Sequence, residues 1–341
     1  MKRTLSFLLV VGVIPPLILL SSLVSPGPIG AHPALPITTT TSTTLIYLPL
    51  VAKNYIPPYV AKIYTTPDYY QLDPDYGGLP HLPGDPPGAQ YCAPVAVSNS
   101  LMWLDDNGFD DWVAPDTTDR KKDQFDTIVE LGSPSYMNTS LVSGTGVYNL
   151  TWGVHNYVLD RGYEYIRLEY QGWRYHSPQF STGIDVPNLD WVKRGIEGYG
   201  SVWLNVGWYT YDAASDEYTR VGGHWLTLVG YGHDGSGEDP RYLVVHDPGS
   251  GGGLANEYIF PERINSGTLR GPYEGLPRSA VGFHKLIWTA GMHVSSSADP
   301  AILDGVVVLE MPTPLTYANW LQLRPRYLHR DTSVGEIDNM N

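Results

Sequence analysis

The sequence predicts an α+β fold in which a long apolar helix packs on an antiparallel sheet, and three observations predict it. Val95 to Leu104 is a dense apolar run without a breaker, set between a proline-rich approach and Asn107-Gly108. From Ser201 onward the chain alternates in the manner of strands. The 36 Gly and 29 Pro supply many turns and argue against a helical bundle. Helical patterns followed by strand patterns, rather than the two interleaved, are the signature of α+β.

Taken in order, the chain opens with Lys2-Arg3, an apolar run from Leu5 to Leu20, and small residues at Ser21, Ser22, Gly30 and Ala31. That is the pattern of an export signal, expected over 1–31. Pro15-Pro16 break the run, against a stable membrane-spanning helix, and no cysteine follows it to carry a lipid anchor. The expected location is therefore secreted or at the cell surface. Residues 32–57 hold an unbroken Thr/Ser run, Thr38 to Thr44, and a short apolar segment, Leu45 to Tyr55. Its role as a docking segment, an anchor or a pro-segment is left open by the residues. The main domain is expected over 58–312 and a peripheral tail over 313–341.

Within the domain, Pro57 to Pro87 alternates prolines and tyrosines with short polar groups and reads as extended chain. A helix follows, with Pro94 in its first turn and Asn107-Gly108 as its stop. Asp105 to Asp111 is a carboxylate-rich loop without the spacing of a calcium-binding loop. Helices are predicted over Asp123 to Leu131 and over Val147 to Arg161, where Leu150, Val154, Tyr157 and Val158 recur at helical spacing before Gly162. Tyr163 to Tyr170 alternates as a strand, and Asn188 can cap a helix through Trp191, Val192 and Ile196. Ser201 to Tyr211 is a strand with one apolar face (Val202, Leu204, Val206, Trp208). Strands also follow from His224, from Arg241, over Ala280 to Thr289 and over Ile302 to Glu310.

Composition narrows the function. A 42% hydrophobic content permits a sizeable core, while a net charge of −14 argues against nucleic acid and anionic membrane surfaces as partners. Ten Trp and 25 Tyr suit β-rich packing. Cys92 is the single cysteine, so no internal disulfide exists. It is an inert buried thiol, an intermolecular link or a reactive nucleophile. A lone cysteine is most often the first of these; a place at a helix N-terminus, where orphan N–H groups and the macrodipole favour a negative sulfur, also suits the last, and the stretch alone leaves the three open.

Two further segments add to Cys92. Gly223-His224-Trp225 opens a strand and Asp247-Pro248 closes the next. The Gly, Asp and Pro between Gly230 and Arg241 predict an antiparallel hairpin. Pairing Gly230 with Arg241 sets His224 directly opposite Asp247; pairing Tyr231 with Tyr242 slides the partner to Gly249 and leaves Asp247 diagonal. A one-residue slip turns Asp247 to the wrong face.

Cys92 with Pro94, then Gly223-His224-Trp225, then Asp247-Pro248 resembles the papain-like cysteine peptidases, most closely the bacteriocin-processing (double-glycine) group, over roughly Gln90 to Pro248. The resemblance implies a papain-like α+β fold, its nucleophile-bearing helix packed on the sheet that bears the base. It implies Cys92 as nucleophile, His224 as base, Asp247 as the group orienting the imidazole, and peptide or protein as substrate. Two positions depart from the group: Ala93 stands where Gly is usual. Gln90 lies two residues before the cysteine, where the oxyanion glutamine usually lies five or six before it.

No Gly-x-Ser-x-Gly, His-Glu-x-x-His or phosphate-binding Gly loop occurs, so serine-hydrolase, zinc and nucleotide chemistry are not expected, and neither is a cofactor. Transglutaminase-like acyl transfer uses the same Cys-His-Asp order, and an inactive papain-like surface binding module is the non-enzymatic alternative. Asn99, two helical turns beyond Cys92, reads as a buried structural amide. His246 points away from Asp247's face.

Overall fold

The computed structural model describes residues 65–113, 117–232, 240–249, 257–271, 276–288 and 300–314. The expected signal, the Thr-rich linker, the segment Leu45 to Tyr55, the hairpin tip at 233–239 and nearly all of the expected tail lie outside them.

Four α-helices occur among the described residues: α1 (Cys92–Asp106), α2 (Arg120–Gly132), α3 (Val147–Asp160) and α4 (Leu189–Ile196). The strands are β1 (Arg167–Gly172), β2 (Gly200–Asp212), β3 (Glu217–Gly232), β4 (Tyr242–His246), β5 (Glu257–Arg263), β6 (Thr268–Arg270), β7 (Arg278–Ser279), β8 (His284–Trp288) and β9 (Ala301–Glu310). All nine belong to one sheet. Pairing is antiparallel except between β3 and β6, which run parallel. The fold is α+β.

α1 is largely apolar because it is covered on all sides: every residue from Ala93 to Leu104 is buried, its Ser98, Asn99 and Ser100 included. Its approach turns at Gly88, where φ is +66° and a Cβ would lie 2.0 Å from the Gln71 carbonyl oxygen, so only glycine fits. At its far end Gly108 adopts φ +96° and the Phe109 N–H returns to the Leu104 carbonyl, a glycine-based stop. The side chain of Asp119 caps α2 through the Lys122 N–H, and that of Asn188 caps α4 through the Asp190 N–H.

β2 lies between β3 and β9, and the ladders β9–β8–β5–β4–β3–β2–β9 close into a ring of six strands. One cluster packs α4 (Trp191, Val192, Ile196) on Val202, Leu204, Leu226, Leu228, Val245 and Leu303. The opposite parity of the same strands (Trp203, Trp225, Val307, Leu309) packs against α1 and α3. β2 is therefore buried on both faces from Gly200 to Gly207, and the single apolar face expected for it is corrected by its central position.

Other boundaries also differ. The first strand begins at Arg167, not Tyr163. β3 begins at Glu217, so His224 stands within a long strand and does not open it. Hairpin contacts between Asp212↔Glu217 and Tyr209↔Arg220 extend the pairing past the glycines that seemed to mark a start.

Candidate active site

α1 is fixed to the sheet by side chains near its N-terminal half. Thr227 Oγ1 donates to the Ala96 carbonyl (2.7 Å) and accepts from Asn99 Nδ2 (3.3 Å). Asn99 Oδ1 also accepts from the Tyr69 N–H and from Gln124 Nε2, so Asn99 is the buried structural amide expected. Trp203 Nε1 donates to Ser100 Oγ at 3.2 Å. These bonds place the first residue of α1, Cys92, beside His224.

His224 is buried, and its Nε2–H donates to Asp247 Oδ1 at 2.5 Å. Cys92 lines the same cleft and lies near enough to the ring to add to the rise in its pKa. With Nε2 committed to the carboxylate, Nδ1 is the ring nitrogen left for another partner. Burial pulls the imidazole's pKa down, but Asp247 and then Cys92 more than offset this and raise it to about 10. Asp247 is fully buried, and its Oδ1 also accepts the Gly249 N–H at 2.7 Å. Cys92 is partly exposed and His224 is 8% exposed, so the cysteine is the more accessible residue of the two.

The β3–β4 register differs from the direct opposition of His224 and Asp247. Near the turn Gly232 pairs with Tyr242, Tyr231 with Leu243 and Gly230 with Val244. Beyond a bulge at Val229, Leu228 pairs with Val245 and Thr227 with His246. Continued by one residue, that pairing sets Asp247 beside Leu226, diagonal to His224 and on its face. His246 takes the other face, where its Nδ1 donates to the Pro67 carbonyl.

Cys92, His224 and Gln90 line one cleft of about 370 Å³. Gln90 Oε1 lies 3.5 Å from where a Gly144 Cβ would stand, so the Gln90 amide lies against the loop wall around Gly144. That wall is pinned by Trp225, the residue after His224, whose Nε1 donates to the Thr145 carbonyl.

Sequence reasoning missed Gln71, whose N–H donates to the Pro248 carbonyl while Nε2 reaches the Gly88 and Ala89 carbonyls. It ties the Asp247 loop to the approach of α1. It also missed Asn205, Arg174 and Arg220 on the cleft wall, with Tyr148 and Tyr175 stacked at 5.6 Å on its rim. The one legible signal was a lone Asn within the apolar run Val202 to Val206. Among the described residues no helix is long and apolar enough to cross a membrane. Comparison with family models, with curated proteins and with solved structures finds no match to this chain.

Proposed function

We propose that this chain is an exported cysteine peptidase or amidase of papain-like type, with Cys92 as nucleophile, His224 as acid–base and Asp247 as the orienting carboxylate. The observation that carries the reading is a single buried imidazole that is bonded to a buried aspartate and shares one cleft with the only cysteine. A structural thiol has no need of a histidine held in one orientation by a carboxylate.

In the proposed reaction the Cys92 sulfur, as thiolate, attacks the carbonyl carbon of a bound amide. The N-terminus of α1 offers the developing oxyanion the Cys92 backbone N–H, and Gln90 lines the same cleft against the Gly144 loop. His224, protonated, gives its Nδ1 proton to the leaving nitrogen as the C–N bond breaks, leaving a thioester on Cys92. The neutral imidazole then takes a proton from water, whose oxygen attacks the thioester; the C–S bond breaks, the carboxylic acid leaves, and the Cys92 thiolate and protonated His224 are restored. Asp247 stays ionised throughout and holds Nε2–H, which fixes the ring and stabilises its charged form.

The test is a peptide-library digest by the wild-type protein and by Cys92→Ala, with and without an added primary amine. Cleavage lost in Cys92→Ala supports the reading. Amine incorporated in place of water moves the assignment to acyl transfer. A wild-type protein that cleaves nothing, with Cys92 inert to thiol reagents while folded, leaves the binding module.

A further inference from the structure

Asn205 is 5% exposed and lines the cleft that holds Cys92 and His224, and its Oδ1 accepts no hydrogen bond among the described residues. It interrupts a run that is otherwise apolar: Val202, Trp203, Leu204 and Val206. The strand register accounts for the missing partner. Along β2 its neighbours on the same sheet face are Trp203 and Gly207, and across the ladders they are Trp225 and Gly305. Trp203 Nε1 donates to Ser100 Oγ, and Trp225 Nε1 donates to the Thr145 carbonyl. The two glycines have no side chain, and a bulge leaves Asp304 out of the ladder between Gly305 and Leu303. None of the neighbours on that face offers Asn205 a side-chain donor.

Asn99 is the contrasting case. Its Oδ1 accepts from the Tyr69 N–H and from Gln124 Nε2, and its Nδ2 donates to Thr227 Oγ1. That is how a structural amide is held in this core. A buried carbonyl without a donor lowers stability, so folding gives no reason to prefer Asn at position 205 over an apolar residue of similar shape. What Asn205 supplies is an acceptor at the cleft, carried on the same side chain as an NH2 donor. A peptide unit, with one N–H and one C=O, complements that pair.

We propose that Asn205 is a substrate-binding residue whose side-chain carbonyl accepts a backbone N–H of a peptide held in the cleft. The inference rests on the peptidase reading for the word substrate, but the contact itself is testable by binding alone. Cys92 lines the same cleft of about 370 Å³, so the peptide unit that Asn205 holds and the bond cleaved belong to one short stretch of substrate. Asn205 takes no part in proton transfer. Its bond is made alike to bound substrate and to transition state, and it acts on affinity.

The probe is the library peptide that Cys92→Ala binds most tightly, with analogues in which each backbone N–H in turn is replaced by an ester oxygen. Binding to Cys92→Ala is measured with Asn205 in place, with Asn205→Leu and with Asn205→Asp. One ester position should weaken binding by about tenfold with Asn205 in place. In Asn205→Leu the parent peptide should bind about tenfold more weakly and that ester penalty should vanish. Asn205→Asp keeps an acceptor in the same place and should keep the penalty. With Cys92 intact, Asn205→Leu should raise KM and leave kcat little changed. The Leu variant should also melt close to the wild type, because it removes an unpaired group and breaks no bond. An ester penalty that is the same in Asn205→Leu overturns the contact, as does a library from which Cys92→Ala binds nothing. If the Leu variant does not fold, the Asp variant decides: a penalty kept supports the contact, and a penalty lost overturns it in favour of a structural amide. Coupling between Asn205 and one ester position, in a wild-type protein that cleaves no peptide, overturns the peptidase reading and leaves the contact standing. Cleavage that depends on Cys92, without that coupling, does the reverse.

Discussion

His224 and Asp247 share one face of the sheet because Val229 is left out of the ladder between their strands. Carried straight from the turn, the pairing Gly230↔Val244 would set Asp247 opposite Thr227, on the face away from His224. The one-residue bulge reverses the parity of everything beyond it, and Nε2 and Oδ1 come within 2.5 Å. The contact is a product of one extra residue in β3.

Cys92 should be alkylated by iodoacetamide in the folded protein, because it is partly exposed and lines the cleft beside His224. Mass spectrometry of the native protein should show a single adduct forming, more slowly in His224→Ala. A thiol that reacts only after denaturation contradicts the catalytic reading.

Asp247→Asn should keep the hydrogen bond to Nε2 and lose the charge that stabilises the imidazolium. Turnover should fall by about tenfold to a hundredfold with the melting temperature little changed. The alkaline limb of the pH–rate profile should also move to lower pH, since Asp247 is the main group raising the ring's pKa. Wild-type turnover in this variant would remove Asp247 from the site.

The stability contributed by charged His224 has a definite pH signature. Its folded pKa, raised to about 10, exceeds the ordinary value of 6.5. The contribution is therefore fully present below about pH 6.5 and is lost as pH rises through about 10. The melting-temperature difference between wild type and His224→Ala, followed from pH 6 to 11 (roughly this window), should be greatest at the acid end and shrink steadily. A difference independent of pH would mean the ring is neutral throughout.

Asp304→Ala should be among the most damaging substitutions outside the triad. It strips Arg220, whose side chain is 11% exposed, of its buried partner and leaves Trp173 Nε1 and Tyr209 OH without their acceptor. Breaking a buried pair from one side costs about 3–5 kcal/mol. Urea titration should show that loss, and Asp304→Asn, which still accepts, should show less. A midpoint unchanged in Asp304→Ala would mean the network is not structural.

Much of this protein was legible in order along the chain. The α+β class followed from local periodicity, and α1 followed from an apolar run bounded by proline and Asn-Gly. Both are short-range effects, written wherever a helix must start, stop or bury a face. Cys92, His224 and Asp247 stood out because each is a chemically distinct residue at an element's end or next to glycine. The sequence also settled that Cys92 has no disulfide partner within the chain. Tertiary structure alone decided the rest. Whether Asp247 meets His224 depends on a bulge at Val229, and a bulge leaves no mark in an apolar run of valines and leucines. Arg220, Asp304, Tyr209 and Trp173 converge from four stretches of chain through two further bulges. Gln71 joins two loops that are distant in sequence. Such contacts come from how strands align across the sheet, which is fixed by the packing of both its faces together, and no single stretch of sequence carries that information.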